Sequence, residues 1–174
     1  IGGVWFYVKV KQEFAKLASD DPTVWESVIT KFEAQDREAG IPEEAVLFVG
    51  SSSIRFWRKL KSDMAPIPVI QRGFGGSKLR DLIHYADRII TPYDPKAIVM
   101  FAGTNDITGR PNDKTAEQVT ADFQELVQLI RRKLPETQIY YLSITPTTAR
   151  WAVWPELRRA NEMIAAFTAQ EPNL

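Results

Sequence analysis

Apolar residues along the chain fall into two rhythms. Four short runs are apolar nearly throughout and rich in β-branched residues: Ala45–Val49, Pro68–Ile70, Ala97–Ala102 and Gln138–Ile144. Strands buried on both faces of a parallel sheet read this way, because neither face alternates with solvent. Between the runs the spacing is helical. Ser77–Ile90 lines up Leu79, Leu82, Ile83, Ala86 and Ile90 on one stripe. Thr115–Leu134 does so with Val119, Phe123, Leu126, Val127 and Ile130, and Glu156–Ala169 with Leu157, Ala160, Ile164 and Phe167. Strand alternating with helix predicts right-handed crossovers and an α/β fold, a three-layer α/β/α sandwich around a parallel sheet.

Before the first strand the pattern is mostly helical. Asp21 or Thr23 is placed to cap a helix whose buried face is Trp25, Val28, Ile29 and Phe32, and Gly40-Ile41-Pro42 breaks it. Residues 1–44 therefore form a helical lead-in to a single domain over residues 1–174, a length sufficient to bury a core unaided. Ile1–Val10 is apolar and aromatic but too short to span a bilayer, and it lacks a signal-peptide cleavage pattern. It is expected to be a frayed end or an edge element on the body.

In doubly wound sheets ligands bind beyond the carboxyl ends of the strands. Here those ends carry Gly50-Ser51-Ser52-Ser53, Gly73-Phe74-Gly75-Gly76-Ser77, Gly103-Thr104-Asn105-Asp106 and Thr145-Pro146-Thr147-Thr148. Each cluster alone also reads as a turn or a helix cap. The glycine loop lacks both the dinucleotide fingerprint and a Walker-type lysine, which makes nucleotide binding a weak reading. The joint appearance of three Gly-plus-polar clusters at consecutive strand ends is harder to attribute to turns.

Charge narrows the classes further. Lys plus Arg and Asp plus Glu both number 22, and no basic stripe suggests a nucleic-acid partner. The absence of cysteine excludes disulfides and thiolate metal sites, and it leaves cytoplasm, periplasm and secretion equally open. One histidine and scattered carboxylates do not make a metal cluster, so neither metal nor cofactor is expected. Oligomeric state is not readable.

Three strings in order carry a family resemblance. Val46-Leu47-Phe48-Val49-Gly50-Ser51-Ser52-Ser53-Ile54, Arg72-Gly73-Phe74-Gly75-Gly76-Ser77 and Phe101-Ala102-Gly103-Thr104-Asn105-Asp106 resemble blocks I, II and III of the SGNH (GDSL-like) hydrolases. The likeness covers roughly residues 42–167. It implies a flavodoxin-like SGNH fold and a serine esterase or acylhydrolase. Ser52 matches the nucleophile, with Ser51 where the family often has Asp. The oxyanion hole would comprise the Ser52 N–H, the Gly76 N–H and the Asn105 side-chain amide. Acyl transfer needs such an activated hydroxyl and such donors. A serine at a strand-to-helix turn is lifted above the sheet, and the positive end of the following helix would face it.

The base of this chemistry is not among the residues. His84 is the only histidine, and it lies about two turns into a helix, roughly 12 Å along its axis past Gly76. A structural or surface role is expected for it. The resemblance implies an Asp-x-x-His block after a fifth strand, downstream of the last helix. Neither is present before Leu174. The expectation is that this sequence is part of a longer enzyme whose domain continues with that strand, which would also cover an open sheet edge. The alternative is a natural protein that has lost the block.

The predicted function is cleavage of short-chain acyl or acetyl esters through an acyl-enzyme on Ser52. The substrate would be a small-molecule ester, an acetylated sugar or a lipid among the options. Ser51, Asp106, Arg150, Trp151 and Trp154 are candidates to line its pocket, with packing of the two Trp onto the body as the competing reading. Alternatives from other classes are a non-catalytic carbohydrate- or lipid-binding descendant of the fold and a flavodoxin-like nucleotide or flavin binder.

Overall fold

A computed structural model describes residues 19–174; the expectation for Ile1–Val10 lies outside the described residues. Asp21 caps a short 3₁₀ turn, Pro22–Trp25, by accepting the Thr23 N–H at 2.9 Å. Helix α1 follows over Glu26–Ala39 and stops at Gly40. The remaining strands and α-helices of the described residues are β1 (Val46–Gly50), α2 (Ser52–Arg55), α3 (Leu60–Asp63), β2 (Val69–Gly73), α4 (Leu79–Ile89), β3 (Ala97–Phe101), α5 (Ala116–Lys133), β4 (Gln138–Tyr141) and α6 (Trp154–Thr168), with further 3₁₀ turns at Thr91–Tyr93 and Thr148–Val153.

The strands form one parallel four-stranded sheet in the order β2-β1-β3-β4. The step from β1 to β2 runs one way across the sheet, and all later steps run the other. Right-handed crossovers must then put the first connection on the opposite face from the rest. The burial pattern agrees. Leu47, Val49, Ile70, Ile98, Met100 and Ile139 join one large core with α1, α4, α5 and α6. Phe48 and Phe101, with Val46, Val69 and Val99 beside them, face a small core under α2 and α3. Among the described residues the α/β/α layering is therefore uneven: four long helices on one face, two single-turn helices on the other. On the thin side of β4, Tyr140 and Leu142 are exposed.

Most strand boundaries fall within one residue of expectation, and two strand ends differ by three, each for a local reason. β2 runs on to Gly73 rather than ending at Ile70, because its polar residues are satisfied where they sit. The Gln71 amide donates to the carbonyls of Ile54 at 2.6 Å and Trp57 at 3.1 Å. Arg72 is buried, is ion-paired with Asp36 of α1, and donates through Nε to the Tyr93 hydroxyl at 2.6 Å. The Tyr93 hydroxyl in turn donates to Asp36 at 2.7 Å, closing a triad. β4 stops at Tyr141, three residues early. One further ladder bond forms, from the Leu142 N–H to the Met100 carbonyl at 2.9 Å. Ile144 then leaves the sheet, its N–H and C=O both taken by the Asn161 amide of α6 at 2.9 and 2.8 Å.

The Arg72 triad ties β2 to α1 through a charge removed from water. Deleting one partner of such a pair leaves the other buried and uncompensated. Arg72→Ala is expected to destabilise the protein by about 3 kcal/mol, read as a lower urea midpoint at unchanged m-value; a midpoint equal to wild type would show that the triad is dispensable.

Candidate active site

The carboxyl ends of three strands meet at one level. Gly50 pairs with Gly73 on β2 and with Phe101 on β3. Strand order reverses between β1 and β3, where open α/β sheets have their ligand crevice. The polar clusters after β1, β2 and β3 all start from this line.

Gly50 is required there. Its φ is +143°, and a Cβ would lie inside van der Waals contact of the Phe101 carbonyl. The turn is stitched to both neighbours: the Ser51 N–H donates to the Phe101 carbonyl and the Phe74 N–H to the Gly50 carbonyl, each at 3.0 Å. Ser51 is consequently buried, Ser52 half-buried at the start of α2, and Ser53 exposed. Gly73 serves the same turn from β2, since a Cβ there would run into the backbone of Ile54 and Arg55. α2 is a single turn, so the extended helix dipole expected behind Ser52 is replaced by one turn's worth of aligned peptides.

The loop after β2 is buried through Ser77, Gly76 included. It is joined to the loop after β3 by Asn105, whose Nδ2 donates to the Ser77 carbonyl at 3.0 Å. The Asn105 Oδ1 accepts from a terminal nitrogen of Arg150 at 2.9 Å. The half-buried Arg150 guanidinium has its pKa pulled down, chiefly by desolvation. Among the described residues, no hydrogen-bond partner meets the backbone N–H of Ser52 or Gly76, or the Ser52 hydroxyl.

Asp106, the neighbour of Asn105, is buried for a different purpose. Its carboxylate accepts the Leu79 N–H at the start of α4 at 3.3 Å and pairs with Lys114 at 3.2 Å, while its carbonyl accepts the Lys114 N–H at 3.0 Å. Lys114 also pairs with Asp122 of α5. Asp106 thus ties the β3 loop to α4 and α5. Burial pushes its pKa up to about 6, with Lys114 pulling the other way. Asn105 and Asp106 also border a polar cavity of about 270 Å³ between Lys78 and the 108–114 loop.

The loop after β4 brings only part of its predicted set toward this centre. Arg150 reaches Asn105. Trp151 stands out at 65% exposure. Trp154 is half-buried and packs on the large core, as the packing alternative had it. His84 is exposed on α4, its ring edge-on to Tyr85 at 4.6 Å. No cluster of three His, Cys, Asp or Glu among the described residues could hold a metal, and none of the described helices is long and apolar enough to cross a membrane.

Residues 44–172 match the GDSL-like lipase/acylhydrolase family model. The chain belongs to that family. It is 28% identical over 156 residues to the platelet-activating factor acetylhydrolase IB subunit alpha1 of Bos taurus, which covers 85% of this chain and 62% of that protein. The chain thus spans less than two thirds of this relative's length. Solved structures share the fold, among them the following two. A Streptococcus pneumonia protein, provisionally described as a platelet activating factor, superposes with a TM-score of 0.76 at 20% identity, covering 96% of this chain and 78% of its own. A GDSL-like lipase from Bacteroides thetaiotaomicron does so with a TM-score of 0.65 at 16% identity, covering 81% and 71%.

Within the GDSL-like family frame, the residues that sequence reasoning overlooked are the ones that hold the loops. Lys114, Asp122 and Asn161 bear on the site through bonds that join a loop to a neighbouring element, eight residues away for the Lys114 pairs and 17 for Asn161 with Ile144. No periodicity or motif marks them.

Asp106 makes a pH-dependent contribution of definite sign. Its folded pKa is above the ordinary carboxylate value, so its stabilising contribution is complete below about pH 4 and is lost as pH rises through about 6. The cost at neutral pH is at most about 3 kcal/mol. In Asp106→Asn this slope should vanish. The difference in melting temperature, variant minus wild type, is expected to grow between pH 4 and 7; a constant difference would mean that Asp106 titrates normally.

Proposed function

We propose that the protein is a serine esterase that cleaves short acyl or acetyl esters. The Ser52 Oγ attacks the ester carbonyl carbon, its proton passing to a general base. The carbonyl oxygen becomes the oxyanion, received by the N–H groups of Ser52 and Gly76 and by the Asn105 amide. Collapse expels the alcohol, which takes a proton. Water then cleaves the acyl-enzyme by the same steps, returning the carboxylic acid and free Ser52. The base is expected, as a His held by an Asp, in the portion by which the relatives exceed this chain in length. A preference for an acetyl group is suggested by the acetylhydrolase relative.

The observation that carries this reading is the level alignment of Gly50, Gly73 and Phe101, with Ser52, Gly76 and Asn105 each a few residues beyond. Ser52 is partly accessible while Ser51 is buried, which favours Ser52 as the nucleophile. The exposed Trp151 supports a second reading, a carbohydrate- or lipid-binding descendant without turnover, because a bare indole offers a stacking surface.

In the full-length protein, an organophosphonate should label Ser52, detected by peptide mass. Ser52→Ala should lower kcat on p-nitrophenyl acetate by about 10³-fold or more. Asn105→Ala should lower it by about 10²–10³-fold with the fold intact. Label on Ser51 or Ser53 would reassign the nucleophile. Ligand binding with neither label nor turnover would favour the second reading.

A further inference from the structure

Arg150 follows β4, 45 residues beyond Asn105 in the chain, yet the Asn105 side chain is its one side-chain hydrogen-bond partner among the described residues. Its Nε is buried with no hydrogen-bond partner among the described residues. A guanidinium offers five donors and no acceptor. One of its terminal nitrogens is given to a single amide oxygen on another loop. Asp113 and Arg110 are the charged groups near enough to act on it, with opposite signs.

The two bonds to Asn105 leave its amide no ambiguity. Arginine can only donate, so the atom facing Arg150 is the oxygen. A carbonyl can only accept, so the atom facing Ser77 is the nitrogen. One Nδ2 hydrogen is occupied by Ser77, and the second is directed elsewhere. A cation on the amide oxygen also draws electron density from the nitrogen and makes that second N–H a stronger donor.

We propose that Arg150 is a positioning residue that locks and polarises the Asn105 amide, holding its remaining N–H toward the oxygen that becomes negative in the reaction. This rests on the reading of Asn105 as an oxyanion donor and adds a requirement that the motif does not contain. The residue lies in the 3₁₀ segment Thr148–Val153 at φ −121°, ψ 19°, outside helical geometry, so the local backbone bends where the guanidinium is delivered.

The test is a double-mutant cycle in the full-length protein with p-nitrophenyl acetate: Arg150→Ala, Asn105→Ala and both together, with Arg150→Lys and its combination with Asn105→Ala beside them. Arg150→Ala should lower kcat roughly tenfold with KM within about twofold, since only transition-state binding is lost. Arg150→Lys, which keeps a charge and a donor, should recover part of the loss. Each double variant should be no slower than Asn105→Ala alone. Losses that multiply, a raised KM at unchanged kcat, or unchanged kinetics for Arg150→Ala would overturn the proposal. If Arg150→Ala melts early, the Lys pair decides on the same criterion. Asn105→Ala with wild-type kcat would instead remove the underlying assignment of Asn105, an outcome distinct from failure of the Arg150 coupling.

Discussion

The in-register pairing of β1 with both of its neighbours is the constraint on which the site depends. Gly50 lies between Gly73 and Phe101, and no side chain fits where its hydrogens are. Because the three strands end at one level, three loops far apart in sequence leave the sheet side by side. The first residues past the ends remain hydrogen-bonded across strands, Ser51 to β3 and Phe74 to β1. The serine turn is therefore part of the sheet's lattice rather than a loop laid over it. Close packing of α1, α4, α5 and α6 against one face of the same strands supplies the rigidity that such registration needs.

Buried charges do the remaining work of alignment. Arg72 with Asp36 and Tyr93 draws β2 onto α1. Asp106 with Lys114 and Asp122 draws the β3 loop onto α4 and α5. Each cluster stands within a residue of a glycine or asparagine of the motifs. A charge so placed has few geometries that satisfy it, and it fixes its backbone neighbours along with itself.

These facts explain what could be read from the amino-acid order. The four strands, the long helices and their faces follow from apolar spacing, because burial on one or both sides of an element imposes a period. The two boundaries that shifted did so where polarity misled. Gln71 and Arg72 interrupt an apolar run but have private partners, and Ile144 extends one but belongs to Asn161. The positions of Ser52, Gly76 and Asn105 past their strands were legible because motif and strand end coincide. The Asn105–Ser77 and Asn105–Arg150 bonds were not, since they join separate loops and obey no spacing. The single-turn length of α2 also escaped notice, as four residues carry too little pattern to measure.

The segment after β4 has both ends fastened. Ile144 is clamped by Asn161 at the start, and Trp154 is seated on the core at the finish. Between them, Thr145 through Ala149 and Trp151 are open to solvent. A span with fixed anchors and a free middle can change its residues without disturbing the sheet, so long as it delivers Arg150. Such a span can be rewritten to meet different molecules without moving the strands beneath it. The two clamps make this stretch a replaceable visor on a fixed frame.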